Sequence, residues 1–205
     1  MTLSSKSVCV FCGSRKGELP GYMEKAEQLG RKLAEAGIRL VYGGGDLGIM
    51  GAVARGTMES GGKVTGIIPD FLIHRESVKE SLELLDEVHI TTNMHDRKMM
   101  MFEKSDAFVA LPGGIGTLEE LVEQMTWAQL GQHQKPVLIA NFEQFWTPFF
   151  DLINHMRDQG FIGGDFNVNY LTCDTENEIV EKLNKAWEEV DTNLHSRDKV
   201  IRKTM

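Results

Sequence analysis

Short apolar runs rich in Val and Ile alternate with helix-patterned stretches along the whole chain, and this alternation constrains the fold more than any other feature. The runs lie at residues 7–12, 38–42, 63–68, 87–91, 107–111, 137–140 and 169–173. The helical stretches lie at 22–36, 48–60, 94–105, 117–130, 147–159 and from 175 to about 190, while 70–85 fits no single pattern. Strands that alternate with helices predict βαβ units with right-handed crossovers and helices on both faces of a parallel sheet. The expected class is therefore α/β, a Rossmann-like three-layer fold with a central parallel sheet of about seven strands. A length of 205 residues suits one domain, taken as residues 1–191, followed by a polar, locally basic tail at 192–205. Ligands of such sheets sit beyond the carboxyl ends of the strands, where the strand order reverses.

Three glycine-bearing loops follow predicted strands and so belong on that rim. In Leu111-Pro-Gly-Gly-Ile-Gly-Thr-Leu-Glu-Glu120, a buried strand turns into a helix. Gly113, Gly114 and Gly116 let backbone N–H groups approach a ligand, Thr117 adds a hydroxyl, and the helix start adds positive potential. That is a phosphate cradle, but no Walker A loop, because no Gly-Lys-Ser/Thr follows. The second loop, Tyr42-Gly-Gly-Gly-Asp-Leu-Gly48, contains Gly44 and Gly45 and matches G-x-G-x-x-G. No ribose-binding acid stands where a dinucleotide site would need it, so NAD is disfavoured. Ser14, in the third loop, suits either a phosphate contact or a turn. Arg97 and Lys98 fall in the first turn or so of the 94–105 helix, where cations oppose the dipole, so an anionic ligand would account for them. Glu119 and Glu120 are placed in the first turn of the next helix; one is explained by the dipole, and a carboxylate beside a phosphate cradle points to chemistry.

Composition removes some functions. A net charge of −8 opposes a broad grip on nucleic acid, though a local cluster of donors still holds one phosphate. The start of the chain lacks the apolar core of a signal peptide, and no run spans a bilayer, so no membrane partner and a cytoplasmic location are expected. Cys9 and Cys12 spell C-x-x-C, but three positions along a strand point to opposite faces, which disfavours metal or redox use. The six histidines form no H-E-x-x-H motif, and no metal or cofactor is expected.

Together these motifs resemble the LOG ("lonely guy") family, cytokinin riboside 5′-monophosphate phosphoribohydrolases long labelled lysine decarboxylase-like. Pro112-Gly-Gly-Ile-Gly-Thr-Leu-Glu-Glu120 fits P-G-G-x-G-T-x-x-E, and Met94-His-Asp-Arg-Lys98 resembles M-H-x-R-K. The segments at 11–14, 42–45, 105–108 and 126–131, with Lys135-Pro136, are similar too, over residues 7 to about 165. The resemblance implies Arg97 and Glu120 as catalytic residues. It implies nucleotide contacts at Met94, Lys98, Gly113, Gly114, Gly116 and Thr117, with Thr126 on a motif near the site. Glu76 is the counterpart of a substrate-contacting glutamate, although 71–87 departs most from the family pattern. It also implies a homodimer, for which the 118–130 helix offers Leu121, Val122, Met125 and Leu130, residues that could equally pack within one subunit. Nothing in the sequence resembles a pyridoxal-phosphate site.

The implied reaction is hydrolysis of the N-glycosidic bond of a purine nucleoside 5′-monophosphate, adenine or N6-modified adenine, giving free base and ribose 5-phosphate. Its oxocarbenium-like transition state would be stabilised by a carboxylate such as Glu120. Arg97 cannot readily give up a proton, so its part is electrostatic or positional. Two other readings stand beside it: a nucleotide-binding or sensing module without turnover, and a redox or metal protein built on Cys9 and Cys12.

Overall fold

A computed structural model describes residues 6–76, 79–163 and 169–204; of these, the side chains of 74, 76, 79, 191 and 193–204 are outside the description. Seven strands form one sheet in the order β4-β3-β2-β1-β5-β6-β7, every neighbouring pair parallel. They are β1 (Ser7–Phe11), β2 (Arg39–Tyr42), β3 (Val64–Pro69), β4 (Glu87–Thr91), β5 (Ala107–Ala110), β6 (Val137–Ala140) and β7 (Leu171–Cys173). The helices between them are α1 (Gly21–Glu35), α2 (Gly48–Glu59), α3 (Ile73–Glu76), α4 (Lys79–Glu83), α5 (Met94–Glu103), α6 (Ile115–Gln129), α7 (Thr147–Asp158) and α8 (Asn177–Thr204). The α/β class, the parallel sheet and the strand count match the alternation read from the sequence.

The sheet is coated on both faces, as a parallel sheet requires. Along β1 the side chains sort strictly by parity. Val8, Val10 and Cys12 join the core shared with α1, α2 and α8, while Cys9 and Phe11 join the core containing Met101, Leu121, Met125 and Phe149. Cys9 and Cys12 therefore lie on opposite faces of the sheet, in buried apolar surroundings. Helix α1 closes at Gly37, which takes φ +67 and donates to Ala34 O, the left-handed end that glycine tolerates best.

Three segments differ from the expectation. The unpatterned stretch after β3 becomes a 3-10 turn (Asp70–Leu72) and the two short helices α3 and α4. Helix α6 starts at Ile115 rather than 117, because Gly116 is absorbed into its first turn instead of ending the loop. Glu119 and Glu120 consequently stand in the second turn, beyond the free N–H groups. Helix α8 runs on to Thr204, through the boundary drawn at residue 191. It is anchored by Ile179, Leu183 and Trp187, whose Nε1 donates to Asp106 O at 3.0 Å. Among the described residues no helix is long and apolar enough to cross a membrane.

Candidate active site

Strand order reverses between β1 and β5, so the loops that leave their carboxyl ends part to form a crevice. Gly13 N donates to Pro112 O at 3.1 Å and knits the two loops into one saddle. The start of α2 joins from the side through Met50 N, which donates to Gly13 O at 3.2 Å. A cavity of about 250 Å³ opens beside the saddle, lined among others by Ser14, Gly43, Met94, Arg97, Thr117 and Glu120.

The start of α6 supplies the floor. Its first residue follows Gly114, which has no side chain to cap the helix, and its first turn carries no acid. The N–H groups of Ile115, Gly116 and Thr117 have no carbonyl one turn earlier within the helix, so they are available to an anion. A Cβ on Gly116 would meet nothing within 4 Å, so the backbone there is open to an incoming group. Thr117, Glu120 and Gln124 recur at helical spacing on the inward side, and all three are buried.

Helix α5 supplies the cation. Asn93 caps it, its side chain accepting from Asp96 N at 2.9 Å. One turn in, Arg97 is only 6% exposed. Its Nη2 reaches Gly43 O at 3.5 Å, its Nη1 reaches the Met94 sulfur at 3.9 Å, and its buried Nε has no partner. A guanidinium so enclosed is poorly compensated by two long contacts, and a buried charge calls for a counter-ion. Gly43 makes the placement possible: a Cβ there would overlap the guanidinium. Behind the pair, burial and then the charge of Glu120 push the Cys12 thiol pKa well up, with Arg97 pulling it partly back. Burial thus favours the neutral thiol at Cys12.

Of the residues singled out from the sequence, Arg97, Glu120, Ser14, Met94, Gly114, Gly116 and Thr117 line this one cavity. Gly113 lines an adjoining cavity and packs its Cα against the Thr117 side chain, leaving no room for a Cβ. Gly44 and Gly45 lie outside the lining; Gly44, at φ +76, makes the turn that presents Gly43. Lys98 is not among the lining residues, although Glu119 is. Its Nζ binds Glu119 at 2.5 Å and Glu123 at 2.9 Å, which ties α5 to α6. Thr126 is exposed, with its hydroxyl donating to Val122 O at 2.7 Å. Glu76 ends α3, and its side chain lies outside the described residues. Gly43 and Leu72 line the cavity without having been picked out as contacts. Gly43 was visible only as part of a glycine spacing, and Leu72 sits in the stretch whose pattern was unreadable.

Residues 50–183 match the family model described as "Possible lysine decarboxylase". The chain is 43% identical over 189 residues to "Cytokinin riboside 5′-monophosphate phosphoribohydrolase LOG" of Oryza sativa subsp. japonica, covering 92% of this chain and 77% of that protein. It is 41% identical over 198 residues to the LOG7 phosphoribohydrolase of Arabidopsis thaliana, covering 91% and 90%. Among solved structures, the Moco carrier protein of Chlamydomonas reinhardtii superposes with a TM-score of 0.67 at 19% identity, covering 91% of this chain and 99% of that one. The molybdenum cofactor binding protein of Rippkaea orientalis does so with a TM-score of 0.64 at 22% identity, covering 90% and 98%. At these identities the solved structures show the fold alone. The chain belongs to the LOG family of phosphoribohydrolase-type proteins.

Proposed function

We propose that the protein hydrolyses the N-glycosidic bond of a purine nucleoside 5′-monophosphate, adenine or N6-modified adenine, releasing the base and ribose 5-phosphate. The observation that carries this is the buried Arg97, with its unpartnered Nε, in one cavity with buried Glu120 and an uncapped helix start. The 5′-phosphate sits on the N–H groups at the start of α6 with help from Ser14 and Thr117. That places the ribose one turn further along, over Glu120. As the C1′–N bond breaks, its electron pair leaves with the base and positive charge gathers on the sugar. The Glu120 carboxylate stabilises that charge and orients the attacking water. The water oxygen bonds to C1′, and a proton ends on the departing base. Arg97 stabilises negative charge without giving up a proton. Met94 and Leu72 give the base an apolar wall.

A pyridoxal phosphate, which a lysine decarboxylase would use, does not suit these residues. No lysine is among the described residues lining the cavity, and Lys98, the lysine beside Arg97, is held by two carboxylates.

The protein acts as a cytoplasmic homodimer in this reading, with the domain of residues 1–191 as the folded unit and the last turns of α8 running on past it. Of the apolar residues on α6, Leu121 and Met125 are spent on the internal core. Ile115, Val122 and Leu130 face outward at 82%, 41% and 57% exposure, on the same side as Thr126, and suit a second copy. Light scattering that gives one subunit's mass at working concentration refutes the dimer. A panel of nucleoside monophosphates assayed for released base and ribose 5-phosphate tests the reaction. AMP-type substrates should turn over far faster than adenosine; equal rates would remove the phosphate cradle, and tight binding without base release would favour a sensing module.

A further inference from the structure

A second cavity, of about 320 Å³, adjoins the first across the glycine saddle and shares Gly13, Ser14 and Gly114 with it. Its character differs. Tyr22, Ile49, Pro112 and Phe145 make apolar walls, and Arg15 stands at its edge. The Tyr22 and Phe145 rings meet edge to face at 6.0 Å. Arg15 is exposed and has no ion-pair partner among the described residues.

The walls are held in place at a cost. Phe145 follows Glu143 and Gln144, two consecutive non-glycine residues at φ +52 and +60. Left-handed backbone at such residues costs on the order of 1 kcal/mol or more each and persists where surrounding contacts enforce it. Here Glu143 is tied to Lys25 of α1 at 2.6 Å, and the Phe142 ring beneath that ammonium is fully buried. The strained turn thus presents Phe145, 36% exposed, to the ring of Tyr22. From the other side Gly17, at φ +72, lies so close to Tyr22 that a Cβ would stand 2.7 Å from its ring. The strained turn carries Phe142 into one core and Trp146 into the other, and it leaves the Phe145 ring partly in solvent beside Tyr22. Such outliers collect where a ligand is clamped.

We propose that this cavity is a subsite for a second planar ring joined to the substrate through its 5′-phosphate, so that the site takes dinucleoside diphosphates as well as nucleoside monophosphates. The inference rests on the phosphate position proposed above. With the 5′-phosphate at the start of α6, a ligand extending past Gly114, away from Arg97 and Glu120, enters a space bounded by two rings and a proline. The next phosphate along meets Arg15. The volume suits a purine-sized group, and apolar walls with a few polar groups at one end are the usual composition of such a pocket. No acid closes β2, so the second nucleoside is held by ring contact and charge rather than through its ribose hydroxyls.

The test is calorimetric affinity for AMP, ADP and P1,P2-di(adenosine-5′) diphosphate, measured in a Glu120→Gln background that binds without turning the nucleotide over, with and without Phe145→Ala, and turnover of AMP by Phe145→Ala alone. ADP supplies the second phosphate without the second ring. The dinucleotide should bind about tenfold tighter than ADP, the scale of one ring contact. Phe145→Ala should abolish that preference while leaving AMP affinity and turnover unchanged. If Phe145→Ala melts early, Phe145→Leu, which fills the space without a ring, replaces it. A dinucleotide that binds no tighter than ADP, or a preference that survives loss of the ring, overturns the subsite. Failure of AMP itself to bind would instead strike the phosphate cradle, and this inference with it.

Discussion

Helices α5 and α6 start side by side on the same rim, yet their first turns are built in opposite ways. Helix α5 carries its own cap, Asn93, and an acid, Asp96, to answer the helix dipole. Helix α6 has glycine where a cap would be and no acid in its first turn. A cap residue is worth about 1 kcal/mol, so its omission needs a reason. The difference assigns the work. Helix α5 is completed by its own residues and serves as a rigid mount for one side chain, Arg97. Helix α6 is left incomplete, and its backbone is the binding surface. Its side-chain contribution, Glu120, comes a turn later, where a carboxylate no longer competes with the bound phosphate.

The most damaging change should be to the two side chains these helices aim at the cavity. Glu120→Gln keeps size and removes charge, and should lower kcat by about 100-fold or more. Nucleotide should still bind, and thermal melts should show a folded protein. Near-normal turnover would reduce Glu120 to a structural residue. Arg97→Ala should also abolish turnover and, unlike Glu120→Gln, weaken binding.

Next in size is Gly43→Ala. The new methyl would overlap the Arg97 guanidinium and push it from its mount without altering a functional group. Misplacing a reacting partner by about 1 Å can cost on the order of 100-fold, so the loss should appear mainly in kcat. Unchanged kinetics would show that Arg97 has freedom which its burial denies.

A smaller effect is expected from Lys98→Met, and it separates two roles for that residue. The family motif suggested nucleotide contact, whereas the structure has Lys98 bridging Glu119 and Glu123. As a brace it keeps α5 and α6, and so Arg97 and Glu120, in register. Lys98→Met should then lower stability and kcat by a few-fold with KM little changed. Adding Glu119→Gln and Glu123→Gln should recover much of the loss, because both sides of the ion pair are then gone. A large rise in KM that the added changes fail to rescue would return Lys98 to the nucleotide.

The fold was legible because the strands are short, apolar and separated by helix-patterned stretches, so that six of seven starts fall within one residue of expectation and only β7 begins two residues late. The rim was legible because glycines after β1, β2 and β5 mark where backbone must approach something. What could not be read was direction. Whether Lys98 or Arg97 faces the cavity depends on how α5 is rotated against α6, a tertiary fact that adjacent residues in one motif do not carry. The start of α6 was misplaced because glycine usually marks a loop, and Gly116 is helical here. The stretch after β3 was unreadable because its pieces are too short to show a period.

The smallest predicted effects bear most directly on the contrast between the two helix starts. Asn93→Ala removes the cap of α5 and should cost about 1 kcal/mol in stability, with little change in KM, since in this reading the phosphate takes its backbone donors from α6 and not from α5. Gly114→Ser does the reverse. Position 114 has φ −92, which serine adopts without strain, and a Cβ there meets nothing within 4 Å. The hydroxyl can accept from the first-turn N–H groups and should stabilise the free protein by a few tenths of a kcal/mol, the usual gap between glycine and serine caps. It would do so by occupying donors that the phosphate needs, so KM for the nucleotide should rise while Tm rises too. Nucleotide should then stabilise Gly114→Ser less than it stabilises the wild type, read as a smaller ligand-induced shift in Tm at equal concentration. If KM falls or stays level as Tm rises, the donors at the start of α6 are not what holds the phosphate. The incomplete helix would then be a consequence of the turn geometry alone.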